Sequence, residues 1–119
     1  MKIEIESREP ATVVVIEGSI DGLTAETLLS TLQGQVEAGS TRLVVDFSGV
    51  DYTSSAGLRA LLATVKEARR RGGDLRLARI RPNVRKVLEL SGFTSILKVY
   101  DEVDAAVESF GAQAPGAGR

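Results

Sequence analysis

The 119 residues include no cysteine, no histidine and no tryptophan. Without cysteine there can be no disulfide, thiolate zinc site or iron–sulfur cluster. That absence fits a reducing compartment. Without histidine the usual general base, the commonest metal ligand and the switch that titrates near neutrality are missing. A Ser-His-Asp hydrolase cannot be assembled from this chain alone. Two tyrosines and three phenylalanines are the only aromatics, which leaves little for stacking on nucleic-acid bases. No apolar run approaches the ~18 residues of a membrane span, so no membrane role is expected. The first ten residues, "MKIEIESREP", lack the apolar centre of a signal peptide, and a cytoplasmic protein is expected.

What is present suits one domain. The hydrophobic fraction of 43% can fill a single core. The net charge of −1 is unevenly spread. Residues 1–58 hold three basic and nine acidic side chains, and residues 59–86 hold ten basic and two acidic. The basic block invites a nucleic-acid reading. Its plainer explanation is "EARRRGG", in which Arg69, Arg70 and Arg71 complement the negative end of a helix that Gly72 or Gly73 stops. No nucleic-acid partner is expected.

Periodicity divides the chain into strands and helices. "IEIES" alternates like a half-buried strand, and "TVVVIEG" is a β-branched run, expected to pair with it antiparallel. From Thr24, read as an N-cap, Ala25, Leu28, Leu29, Leu32 and Val36 share one helical face, and Gly39 ends it. "TRLVVDFSG" reads as a continuous apolar strand through "LVV" and Phe47 rather than an alternating one, as a central strand covered on both faces would. Leu58, Leu61, Leu62 and Val65 define a helix from about Ser55. "DLRLARI" is a strand. Pro82 opens a short helix carrying Val84, Val87 and Leu88, stopped at Gly92. "SILKVY" is a last strand, and Asp101 caps a final helix with Val103, Ala106, Val107 and Phe110 on one face. A domain over residues 1–110 and a disordered tail over 111–119 follow. The order β-β-α-β-α-β-α-β-α implies an α/β fold: a mixed, mostly parallel sheet of about five strands with about four helices.

One stretch asks for a function. In "DYTSSAGLRALL", Asp51 to Leu62, a doubled serine, an alanine and a glycine stand between the central strand and a helix. A helix start offers unpaired N–H groups and a partial positive charge, which stabilise anions such as phosphate. Phosphoserine there would be tolerated and would add roughly −1.5 to −2 charge. A serine that caps the helix and does nothing else explains the same residues. Gly57, having no side chain, would let another surface come close. Catalysis fits poorly, because there is no G-x-S-x-G elbow, no base for the hydroxyl and no phosphate-cradling loop. Asp21, Asp46 and Asp51 could gather around a divalent cation, but such residues more often cap loops, and no metal or cofactor is expected.

The chain resembles the STAS-domain family, most closely its small single-domain bacterial anti-sigma-factor antagonists. Three segments carry the resemblance together with the order of elements: "EGSIDGLTAETL", "LVVDFSGVDYTSSAGLRALL" and "RRRGGDLRLARIRPNVRKVLELSGF". It spans Ile3 to Phe110. The resemblance implies a STAS-like fold and a non-enzymatic, partner-switching role. The unmodified antagonist binds an anti-sigma factor serine kinase, phosphorylation ends the binding, and a PP2C-type phosphatase restores it. The family's acceptor position falls on Ser55, and its loop aspartate on Asp21. Ser54 stands where many members have aspartate, so it is an alternative acceptor, with Thr53 third. Ala56 occupies the place of a second serine.

The resemblance further suggests that the kinase docks over the Asp21 loop, the turn Ser54, Ser55, Ala56, Gly57 and Leu58, and the following helix, with Arg59, Lys66 and Arg69 at the rim. A monomer is expected. The alternative is a STAS module without a phosphoswitch, serving as a structural or ligand-sensing subunit of a larger complex.

Overall fold

Alternation and β-branching put the first two runs side by side. In the computed structural model, which describes residues 1–118 and side chains to residue 111, β1 (Lys2–Arg8) and β2 (Ala11–Glu17) form an antiparallel pair with Ile5 opposite Val14. There follow α1 (Gly22–Glu37), β3 (Arg42–Gly49), α2 (Ser55–Arg70), β4 (Asp74–Ala78), α3 (Pro82–Leu90), a 3-10 turn (Phe93–Ser95), β5 (Val99–Tyr100) and α4 (Val103–Gly118). The sheet runs β1-β2-β3-β4-β5, and β2 to β5 are parallel. The expected mixed sheet of five strands and four helices is the one observed. The tail expected over 111–119 lies, from residue 112 on, outside the residues whose side chains are described.

Strands added in sequence order, each by a right-handed crossover, place every crossover helix on the same face of the sheet. Accordingly α1, α2 and α3 cover one face, and α4 returns over the other. Neighbouring strand residues point to opposite faces. Val14, Val45 and Leu77 therefore pack under α1–α3, while Val13, Val44 and Ala78 pack under α4. Having cover on both sides explains why β3 reads as a nearly continuous apolar run from Leu43 to Phe47, interrupted only by Asp46. Fully buried side chains such as Leu28, Leu61 and Phe47 each contribute roughly 1.5–3 kcal/mol by leaving water.

Four local expectations need correction. The cap of α1 is Asp21 rather than Thr24, because Asp21 accepts the N–H groups of Leu23 and Thr24 while the Thr24 hydroxyl accepts the N–H of Asp21. The last strand shrinks to Val99–Tyr100, because Phe93–Ser95 forms a helical turn. Val87 is partly exposed, since α3 buries only Val84 and Leu88. The final helix begins at Val103, two residues beyond Asp101.

An ionic cluster lies under α4. "DLRLA" puts Asp74 and Arg76 on the face opposite Leu75 and Leu77, and α4 covers that face. Arg76 Nε is 3.0 Å from Asp74 Oδ2, its Nη1 donates to Ser109 Oγ at 2.6 Å, and its guanidinium stacks 4.0 Å from the Phe110 ring centroid. Arg69 donates to the other oxygen of Asp74 at 2.8 Å and to the Ile96 carbonyl at 2.7 Å. Burial opposes ionisation of Asp74, but the hydrogen bonds from Arg76 and Arg69 and the charge of Arg69 outweigh it, so its pKa lies below the usual carboxylate range.

Candidate functional site

The carboxyl ends of β2 and β3 continue as two loops that are strapped together. Gly18 N–H donates to the Gly49 carbonyl at 2.9 Å, Ile20 N–H to Tyr52 at 2.9 Å, and Ser54 N–H to Ile20 at 2.8 Å. Ile20 and Thr53 thereby form an isolated parallel bridge, and Ser19 Oγ donates to Asp51 Oδ1 at 2.9 Å. The straps fix the start of α1 beside the start of α2, so Asp21 and Ser54 cap neighbouring helices. Asp21 has a lowered pKa, chiefly from the Thr24 N–H and then the Thr24 hydroxyl, so it stays charged.

The two serines have different duties. Ser54 is the N-cap of α2: its backbone is extended and its Oγ accepts from the Gly57 N–H at 3.3 Å. Ser55 is the first residue of α2, exposed, and among the described residues its hydroxyl has no hydrogen-bond partner. Thr53 is buried, so its hydroxyl is inaccessible as an acceptor.

Gly57 and Leu58 lie inward. A Cβ on Gly57 would stand 2.7 Å from Ile20 Cγ2 and would collide with Thr53 Oγ1. The surface that approaches Gly57 is thus the chain's own strap. Leu58 is part of the core. The docking role expected of these two residues is corrected on that ground: they are buried and support the surface from beneath.

Ala56 and Arg59 remain on the outside and line a groove of about 500 Å³ between α1 and α2, with Ala25, Glu26, Leu29 and Ala60 among its other walls. Lys66 and Arg69 lie 11 and 14 residues beyond Ser55, or roughly 16 and 21 Å along the helix. They do not border this site, and Arg69 is engaged by Asp74.

Two exposed apolar residues were not anticipated. Leu23, in the first turn of α1, is 80% exposed, and Tyr52, on the loop before α2, is 53% exposed. Leu23 falls off the apolar stripe of α1, and that mismatch was the signal for it. The three aspartates considered for a cation have other duties: Asp21 caps α1, Asp46 accepts from the Ser48 N–H, and Asp51 accepts from Ser19. Among the described residues no group of three or more acidic side chains converges as metal ligands would.

A family model described as "STAS domain" matches residues 2–106. The chain belongs to the STAS domain family. Among relatives of this STAS domain is BtrV of Bordetella bronchiseptica, whose name assigns it to the anti-sigma factor antagonists. It is 37% identical over 110 residues, covering 92% of this chain and 95% of BtrV.

Solved structures share the fold. An anti-sigma factor antagonist from Mycobacterium paratuberculosis superposes with a TM-score of 0.79 at 26% identity, covering 91% of this chain and 92% of that one. The Bacillus protein SpoIIAA, an anti-sigma factor antagonist solved in unphosphorylated form, gives a TM-score of 0.78 at 21% identity, covering 92% and 97%. SpoIIAA has also been solved in a phosphorylated form. Among the described residues no helix is long and apolar enough to cross a membrane.

Proposed function

We propose that this STAS domain is an anti-sigma factor antagonist that works by partner switching, with Ser55 as the phosphate acceptor. One observation carries the choice of residue: Ser54 is held by its cap, whereas Ser55 is exposed and unbonded at the helix start. In the unmodified state an anti-sigma serine kinase docks over Asp21, Ser54, Ser55 and Ala56, with the exposed Leu23 and Tyr52 supplying apolar contact. The Ser55 oxygen then attacks the γ-phosphorus of ATP on the kinase. The bond from that phosphorus to the β-phosphate bridging oxygen breaks, ADP leaves, and the serine proton passes to a base of the kinase. A dianion of roughly −1.5 to −2 charge now lies within the contact, and the cost of burying it ends the binding. A PP2C-type phosphatase hydrolyses the phosphoester with water and restores the first state. The chain itself supplies no catalytic group.

Phosphopeptide mass spectrometry on protein from its native cells, in growth and under stress, tests this. Trypsin releases residues 43–59, which hold Thr53, Ser54 and Ser55 together. Phosphate on Ser55 that varies with condition is the expected result. Phosphate on Ser54 would move the acceptor, and no phosphate under any condition would favour a STAS module without a switch. With the cognate kinase, Ser55→Asp is expected to abolish binding and Ser55→Ala to lock it on. If both bind like wild type, the switch is refuted.

A further inference from the structure

Arg59 stands one helical turn after Ser55, a neighbour of it on the surface of α2, and it also lines the groove between α1 and α2, which Ser55 does not. It is exposed and takes part in no ion pair among the described residues. The arginines at the far end of α2 differ: Arg69 pairs with Asp74, and Arg70 and Arg71 with Glu67. Glu26, the carboxylate that lines the same groove, does not come within ion-pairing distance of Arg59. An anion four residues before a cation is the favourable order on a helix, because the two side chains are neighbours, and here the anion at the helix start also complements the dipole. A guanidinium also offers two parallel N–H groups to phosphate oxygens.

We infer that Arg59 is the built-in receptor for a phosphate on Ser55, folding back along α2 to pair with it. This rests on the reading of Ser55 as the acceptor and deepens it. Before modification, the Arg59 cation at the groove mouth is free to meet a carboxylate of the partner. After modification it is held within the chain. One phosphate thus changes the charge of the surface by its own roughly −1.5 to −2, and it also withdraws from the partner the cation that its carboxylate could meet. Lys66 is three turns from Ser55 and cannot take this part.

The test is phosphorus NMR titration of the protein with phosphoserine installed at position 55 by genetic encoding. The reading is the midpoint of the second phosphate ionisation, near 6 for an unpaired group. Relative to Arg59→Ala, the wild-type chain is expected to titrate roughly half a unit lower, with Arg59→Lys between them. The difference should shrink in ~1 M salt, where the screening length is near 3 Å. Phosphoserine at position 54, five residues from Arg59, serves as control and should be insensitive to Arg59→Ala. Equal midpoints in wild type and Arg59→Ala would overturn the inference. So would a lowering that Arg59→Ala shares at both positions, since the helix start alone would then be its cause. Installing the phosphate separates this test from the mass spectrometry: absence of phosphate in cells would sink the switch and leave the Arg59 result standing.

Discussion

Replacing Gly57 by alanine tests the packing on which the site depends. A methyl there would be 2.7 Å from Ile20 Cγ2, against roughly 3.5–4.0 Å for relaxed carbon contacts, and would also meet Thr53 Oγ1. The start of α2 must move by about 1 Å or the strap must open. Overpacking of this kind costs roughly 1–3 kcal/mol. Alanine's helix propensity returns up to ~1 kcal/mol, so a net loss of about 1–2 kcal/mol is expected. Gly34, exposed in α1, is the matched control, because a Cβ there meets nothing within 4 Å. Gly34→Ala should stabilise by about 0.5–1 kcal/mol. Urea unfolding should therefore separate the two variants by about 2 kcal/mol, and their melting temperatures by roughly 8 °C. Thr53→Ala removes one of the two colliding groups. It should cost less in the Gly57→Ala background than in wild type, with a coupling of about 1 kcal/mol. If Gly57→Ala is as stable as Gly34→Ala, or if Thr53→Ala costs the same in both backgrounds, the close approach does not govern this turn.

Ser54→Ala removes the cap of α2 and should cost about 0.5–1 kcal/mol in urea unfolding, whereas Ser55→Ala should stay within about 0.5 kcal/mol of wild type. Asp21→Ala should destabilise more than Asp21→Asn, since asparagine keeps the capping oxygen; thermal melts compare them. Asp74→Asn removes the buried carboxylate that both Arg76 and Arg69 bond and should cost about 3 kcal/mol, while Asp74→Leu with Arg76→Met should recover much of that loss. Asp21 and Asp74 both have lowered pKa values in the fold. Their contribution is complete above the unfolded carboxylate value near ~3.9 and is lost as pH falls through the lower folded values. Stability by circular dichroism should be flat between about pH 5 and 7 and decline below about pH 4, with no step near 6.5 because there is no histidine.

The sheet and its helices were legible because each element carries its own period. The run at β3 announced a strand covered on both faces, and Gly39 and Gly92, both at positive φ, marked the helix stops. What escaped depends on distant partners. "DLRLA" alternates as a strand with one wet face would, yet α4 covers that face, and only Asp and Arg two residues apart hinted that they pair there. The cap of α1 was missed because "DGLT" closes its box with a threonine hydroxyl in place of the usual Glu or Gln. At the site, sequence reading located the serine turn and Asp21, and the family resemblance pointed to Ser55 with Ser54 as the alternative, but the residues alone gave no physical ground for choosing between the two. Their difference is a matter of where one hydroxyl points, and that is set by the strap from Ile20.

The strap also explains how one turn can hold a cap and an exposed serine side by side. If α2 began one residue later, Ser55 would become the cap and its hydroxyl would be bonded to the backbone. The bridge between Ile20 and Thr53, with the bond from Ser54 N–H to the Ile20 carbonyl, fixes the register at which the helix can begin. The bare Cα of Gly57 lets α2 sit tightly enough against that bridge for the register to hold. The buried Gly57, Thr53 and Ile20 therefore decide which serine is exposed at the helix start, although they are themselves out of reach from the surface. Under the proposed switch, substitutions at these three positions should move the phosphate acceptor as well as the stability, whereas substitutions at exposed Arg59 should change the response to phosphate and leave the fold as it is.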